Sequence, residues 1–139
     1  VMMIRNATLG LLLLVTAVGC GVRPQNTIAT VRHVPVDPKL YQVLLSTARH
    51  RAQESGLAAD SRTAEGARRL ARIEAAALRT AIRDTALDAV AARAGVAITR
   101  SEVDATITRV EDAIGGAAAL DGQLTAQGLT RNDFRTLTR

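Results

Sequence analysis

Residues 78–107 read LRTAIRDTALDAVAARAGVAITRSEVDATI. Leu78, Ile82, Ala86 and Val90 recur at every fourth position, the spacing of one helix face. Leu87 and Ala94 widen that face. Gly95 ends the pattern, because a helix often closes on a glycine that takes the left-handed backbone conformation. A second helix opens at once. Thr99 can accept a hydrogen bond from the N–H three residues on, and Glu102 can return one to the Thr99 N–H, which is a capping box. Ile98 and Val103 flank the box as a hydrophobic staple. A long helix that stops and another that starts within a few residues predicts a mainly α fold.

The same punctuation extends in both directions. Leu70 and Ile73 carry the stripe back to a start near Ala64, so the long helix spans about 64–94, with Gly66 as a weak point in its first turn. Downstream, Val103, Ile107, Val110 and Ile114 line one face of a helix over 100–114, which is expected to pack against the long helix. Gly115-Gly116 ends it. Leu120 and Leu124 point inward from a short helix over 117–127, closed by Gly128. In GLTRNDF, Thr130 and Asp133 repeat the box and Leu129 and Phe134 repeat the staple. Aspartate reaches less far than glutamate, so the second box is expected to be the weaker. The last helix starts at Arg131, with Phe134 and Leu137 beginning its apolar face.

Toward the N-terminus, Asp37-Pro38 opens a helix, since proline suits a first helical turn. Tyr41, Leu44, Leu45 and Ala48 follow helical spacing, and the helix ends near Ser55-Gly56. Residues 56–66 read as a polar loop. Ile28, Val31, Val34 and Val36 favour β structure, but Pro35 and Pro38 interrupt the alternation, so a short edge strand or extended arm is expected.

Residues 3–20, MIRNATLGLLLLVTAVGC, have a different character. Arg5 precedes an apolar run from Leu9 to Val18, followed by small residues and a cysteine, the order of a secretory signal peptide. Ala17-Val18-Gly19-Cys20 resembles the bacterial lipobox, in which the chain is cut before a cysteine that then carries lipid. The alternative is an uncleaved anchor, although the run falls short of the ~20 apolar residues that span a bilayer. Either reading places the remainder of the chain outside the cytoplasm. Cys20 is the only cysteine, so no intramolecular disulfide is available. Its expected role is lipidation rather than catalysis. The expected division is a signal over 1–19, a lipidated Cys20 with a tether over 20–27, and a helical domain over 28–139 whose last helix is incomplete.

Composition narrows the partners. Tyr41 and Phe134 are the only aromatic residues, so the core must be built from Leu, Ile, Val and Ala. The net charge is +5 at pH 7. The arginines alternate with acids along helices and the export signal removes the chain from most nucleic acid, so no nucleic-acid partner is expected. A basic surface near an anionic membrane is the plainer consequence.

Residues that would carry chemistry are scattered. His33 and His50 fall in different elements without neighbouring ligands, so they read as solvated surface histidines. Ser46, Ser55, Ser61 and Ser101 lack the turn that presents a nucleophile. Gly115-Gly116 has no following lysine and no preceding strand, so it is not a phosphate loop. Asp84, Asp88, Asp104, Glu111 and Asp112 read as surface ion-pair partners. No catalytic residue, metal ligand or cofactor is assigned, and substrate-binding residues are left unassigned.

The order of these signals resembles the N-terminal chaperone domain of the SurA and PrsA type of extracytoplasmic foldase. The segments that carry the resemblance are Ala91 to Val96, Ile98 to Asp104, and the closing GLTRNDFRTLTR. ATVRHVPVDPKLYQVLL is similar to the family's opening strand and first helix, with Arg32-His33 where the family usually has an Asn-Gly turn. The resemblance implies a multi-helix, ATP-independent module that binds unfolded or nascent exported polypeptide. Many relatives carry a parvulin-type prolyl isomerase domain after these helices. It also implies that the helix begun at Arg131 continues, which reads the chain as a fragment or a reduced, chaperone-only form. The alternatives are an envelope scaffold lipoprotein or a piece of a larger isomerase.

Overall fold

The structure, a computed structural model, describes residues 27–57 and 59–139. It is mainly helical. The elements are β1 (Thr30–Val31), β2 (Val34–Pro35), α1 (Pro38–Glu54), α2 (Ala64–Arg93), α3 (Arg100–Ile114), α4 (Ala117–Ala126) and α5 (Arg131–Thr138). The expected signal segment and Cys20 lie outside the described residues.

The N-terminal segment is a hairpin rather than a single strand or arm. β1 and β2 pair antiparallel, Val31 opposite Val34, and the Val36 N–H donates to the Ala29 carbonyl at 2.9 Å. The turn residues Arg32 and His33 both hold positive φ, 47° and 73°. That is the backbone of a tight turn whose twist matches the strands, and Asn-Gly adopts it with least strain. The hairpin therefore forms despite its turn residues, and its pairing and its seating on α2 must offset the cost.

Helix ends follow their local chemistry. Asp37 accepts a hydrogen bond from the Lys39 N–H at 2.8 Å, with Pro38 opening α1. Thr63 caps α2 through the Gly66 N–H at 3.0 Å. Both capping boxes are closed. Glu102 accepts from the Thr99 N–H at 2.7 Å and Asp133 from the Thr130 N–H at 3.0 Å. These bonds hold both carboxyls below their ordinary pKa values. For Glu102 the main cause is the Thr99 backbone N–H, and for Asp133 it is the Thr130 hydroxyl.

α1 is the shared wall of the molecule. One side packs on α2 and another meets α5, while α3, α4 and α5 pack on one another. The main core joins Val43 of α1 to Val103, Ile107, Leu120, Leu124 and Leu129, with Val110, Ile114 and Phe134 against it. This corrects the expectation that Val103, Ile107 and Val110 pack on the long helix. α2 touches α1 and the hairpin but none of α3, α4 and α5 among the described residues. The reason is steric. α1 already occupies the buried side of α2, where the close approach uses small residues, Ala77 and Ala81.

Gly66 also proves to be more than a weak point. It is buried, and a β-carbon there would lie 2.6 Å from the Asp60 carbonyl oxygen. The loop before α2 folds back so closely that no side chain fits. Buried hydroxyls are satisfied within their own helices: Thr47 donates to the Val43 carbonyl and Thr85 to the Ala81 carbonyl, both at 2.8 Å.

Candidate functional site

The separation of α2 from α3 and α5 leaves a groove of about 750 Å³ between them. Its apolar surface comes from Val34 of β2, Leu40 of α1, Leu87 of α2, Ile98 and Val103 at the start of α3, and Leu137 of α5. Leu87 is 61% exposed, Ile98 55% and Leu137 38%, so this surface faces solvent. Val90 and Val96, near the same end of α2, are 59% exposed each. Large aliphatic side chains at such exposure cost hydration free energy that a bound apolar group would recover.

The sequence places these residues by local rules that do not look toward the groove. Gly95 takes φ 74° and ends α2, and the Val96 N–H closes the turn on the Ala91 carbonyl at 2.9 Å. The chain then reaches the Thr99 box within a few residues. The last turns of α2 therefore run on past the packed helices, with Leu87 and Val90 uncovered. The expected stripe is displaced: the buried line of α2 runs through Ala77, Ala81 and Thr85, one position before Leu78, Ile82 and Ala86, which are only half-buried, and Leu87 and Val90 stay exposed. Ile98 likewise stays over half exposed while its staple partner Val103 is buried at 5%.

Charge is arranged along the rim. Asp84 and Asp88 line the α2 side; Lys39, Arg100, Arg135 and Arg139 line the other sides. Several polar groups already have structural partners. Asp37 is the α1 cap. Arg135 donates to Asp104 at 2.8 Å, Arg83 to Asp84 at 3.3 Å, and the Thr99 hydroxyl belongs to its box. What the groove offers a ligand is aliphatic surface bordered by charge of both signs.

The two histidines have different settings. His33 sits exposed in the hairpin turn. His50 is not a free surface histidine. It is half-buried, its ring packs against Gly128, where a β-carbon would come within 2.8 Å, and its Nε2 lies 3.2 Å from the Ala126 carbonyl. It joins α1 to the end of α4. Asp84, Asp104 and Glu111 do form ion pairs, with Arg83, Arg135 and Arg131. Arg131 is the member that the spacing did not single out. Its guanidinium meets Glu111 of α3, Asp121 of α4 at 2.6 Å and the Ala117 carbonyl at 3.0 Å. These partners raise its pKa further, the Glu111 carboxylate most. Among the described residues no group of three or more His, Cys, Asp or Glu could hold a metal ion. No helix there is long and apolar enough to cross a membrane.

Comparison with protein-family models, curated proteins and solved structures finds no match to the chain. The functional reading therefore rests on its own residues and geometry.

Proposed function

We propose that the chain is a lipid-anchored extracytoplasmic chaperone module that captures unfolded exported polypeptide in the α2–α3–α5 groove. The observation that carries this reading is the exposed aliphatic lining of Leu87, Ile98 and Leu137. Exposed apolar surface bordered by polar groups suits interaction with another polypeptide. A lining of aliphatic side chains with charges of both signs on its rim selects for apolar character rather than for one sequence. A disordered client loses chain entropy on capture, so affinity is modest and exchange is fast. Cys20 supplies the anchor through its lipobox-like setting, and the residues assign no reaction to the module.

The test uses the full chain and an unrelated, chemically unfolded client. The parent chain is expected to suppress client aggregation. Leu87→Ser/Leu137→Ser is expected to lose most of that protection while keeping its thermal unfolding midpoint. Equal protection by parent and variant would remove the groove from the mechanism. A parent that protects no client but retains a single envelope protein would make the chain a scaffold.

A further inference from the structure

The solvent face of α2 carries a line of arginines that the chaperone reading does not use. Arg68, Arg72, Arg79 and Arg83 are all exposed. At 3.6 residues per turn they fall within roughly 60° around the helix axis, and at 1.5 Å per residue they extend over about 22 Å. Arg68, Arg72 and Arg79 make no hydrogen bond or ion pair among the described residues. Of the acids of α2, Glu65 stands at the N-terminal end of the same line and is paired with Arg69 at 2.7 Å; Glu74, on the opposite side, is paired with Arg49 at 3.1 Å; Asp84 is paired with Arg83 at 3.3 Å, and Asp88 lines the groove. The exposed positions between the arginines are Ala71, Ala75 and Ala76, so nothing bulky stands between the guanidinium groups and a flat surface.

From this geometry we infer that the arginine face of α2 docks on an anionic phospholipid surface. Charge complementarity makes the partner anionic, and two further observations make it a lipid. A hollow of about 400 Å³, floored by Ala48, Leu57, Ile73 and Ala76, opens beside Arg72. An aliphatic floor with a guanidinium at its edge fits an amphiphile with a negative headgroup. A single-stranded nucleic acid would instead be held with stacking side chains, and the chain's two aromatic residues, Tyr41 and Phe134, both lie outside α2. Arginine binds phosphate in a planar, two-pronged geometry and is less strongly hydrated than lysine, which favours contact at a headgroup layer.

The inference rests on the export reading for bringing the chain to a membrane. If Cys20 is acylated, the seven residues to Thr27 can reach no further than about 25 Å. The folded part then stays where the headgroup potential acts. Docking through the arginines also sets an orientation. Of the groove-lining residues of α2, Asp84 and Asp88 lie about 130° and about 170° around the axis from the middle of the arginine line, and Leu87 about 70°. The arginine face seats on the bilayer and the groove opens to its side, within reach of arriving polypeptide.

The experiment measures partition of the full chain onto phosphatidylcholine vesicles with and without phosphatidylglycerol. Any lipid anchor or apolar segment contributes to both, so the ratio reports the charged face. Each arginine near such a surface contributes about fivefold, so Arg72→Gln/Arg79→Gln is expected to lower the ratio roughly thirtyfold. The parent's preference is also expected to vanish near ~1 M salt, where screening acts within about 3 Å. A charge-matched variant outside the arginine line, Arg32→Asn/Arg109→Gln, is expected to keep most of the ratio. Circular dichroism checks that each variant keeps its helices. An unchanged ratio in the α2 variant overturns the inference. So does loss of duplex-DNA binding in that variant while the vesicle ratio holds, which assigns the face to nucleic acid. Client protection is read in a separate assay, so either reading can fail while the other stands.

Discussion

The α3–α5 cluster and the free end of α2 are built from the same kinds of residue, yet they have opposite fates. In the cluster, Val103, Ile107, Leu120, Leu124 and Leu129 are 3–9% exposed, and two capping boxes and the Arg131 fork hold the helices that carry them. On α2, Leu87 and Val90 continue an equally regular stripe and are about 60% exposed. Periodicity is therefore a statement about which residues share a face. Whether that face is covered depends on where the next helix is sent. Here the short link from Gly95 to Thr99 sends it away from α2, and the fold keeps a bare apolar end beside a closed core.

The sharpest way to break this contrast is to truncate one aliphatic residue in each region. Ile107→Ala is expected to cost ~2–5 kcal/mol, because the cavity it leaves lies in the core shared with α4 and α5. That is a large share of the ~5–15 kcal/mol that stabilises a typical domain. Leu87→Ala is expected to change stability by less than ~0.5 kcal/mol, as for most exposed positions. Urea unfolding of the two variants measures both. A Leu87→Ala cost approaching that of Ile107→Ala would mean that the α2 end is covered in solution.

An intermediate effect is expected at the other end of α2. Alanine normally stabilises a helix relative to glycine by about 1 kcal/mol. Gly66→Ala is expected to do the reverse and cost ~1–3 kcal/mol, the range for overpacking, because the new β-carbon meets the Asp60 carbonyl oxygen. A raised unfolding midpoint would show that the loop before α2 yields more readily than the α3–α5 cluster.

The smallest effect sharpens the role of the caps. Glu102 and Asp133 have depressed pKa values in the folded state. Their contribution is therefore present above the unfolded-state values and is lost as the pH falls through the folded ones. The thermal midpoint is expected to fall as pH drops below the ordinary carboxylate values of 4.5 for Glu and 3.8 for Asp. Thr99→Ala/Thr130→Ala is expected to flatten that fall, since the hydroxyls and closed boxes are what depress the two carboxyls. An unchanged acid limb would remove the caps as its cause.

Much of the fold was legible in the chain itself. Asp37, Thr99 and Thr130 each stand at a helix start and satisfy orphaned N–H groups, and Gly95 and Gly115 mark stops by their positive φ. These are local interactions between residues a few positions apart, so a linear reading reaches them. The hairpin was less legible, because Arg32 and His33 are poor turn residues and it is the pairing of the strands that holds them in place. The groove was not legible at all. Leu87 reads as core until the neighbour of α2 is known, and Arg131 reads as one more surface charge until Glu111 and Asp121 are brought to it.

The sequence by itself determined the mainly α class, the helix ends and the inward residues of α3 and α4, because caps and periodicity act within one or two helical turns; on α1 and α2 the buried line passes instead through Val43 and Thr47 and through Ala77, Ala81 and Thr85. Tertiary structure alone decided that α4 and α5 rather than α2 meet the Ile107 face, that Gly66 must be glycine, that Arg131 ties three helices together, and that the end of α2 stands uncovered. Those outcomes depend on contacts between residues far apart in the chain. Steric exclusion chooses among them: α1 occupies the close-packing face of α2, and the remaining helices must bury their apolar residues on one another.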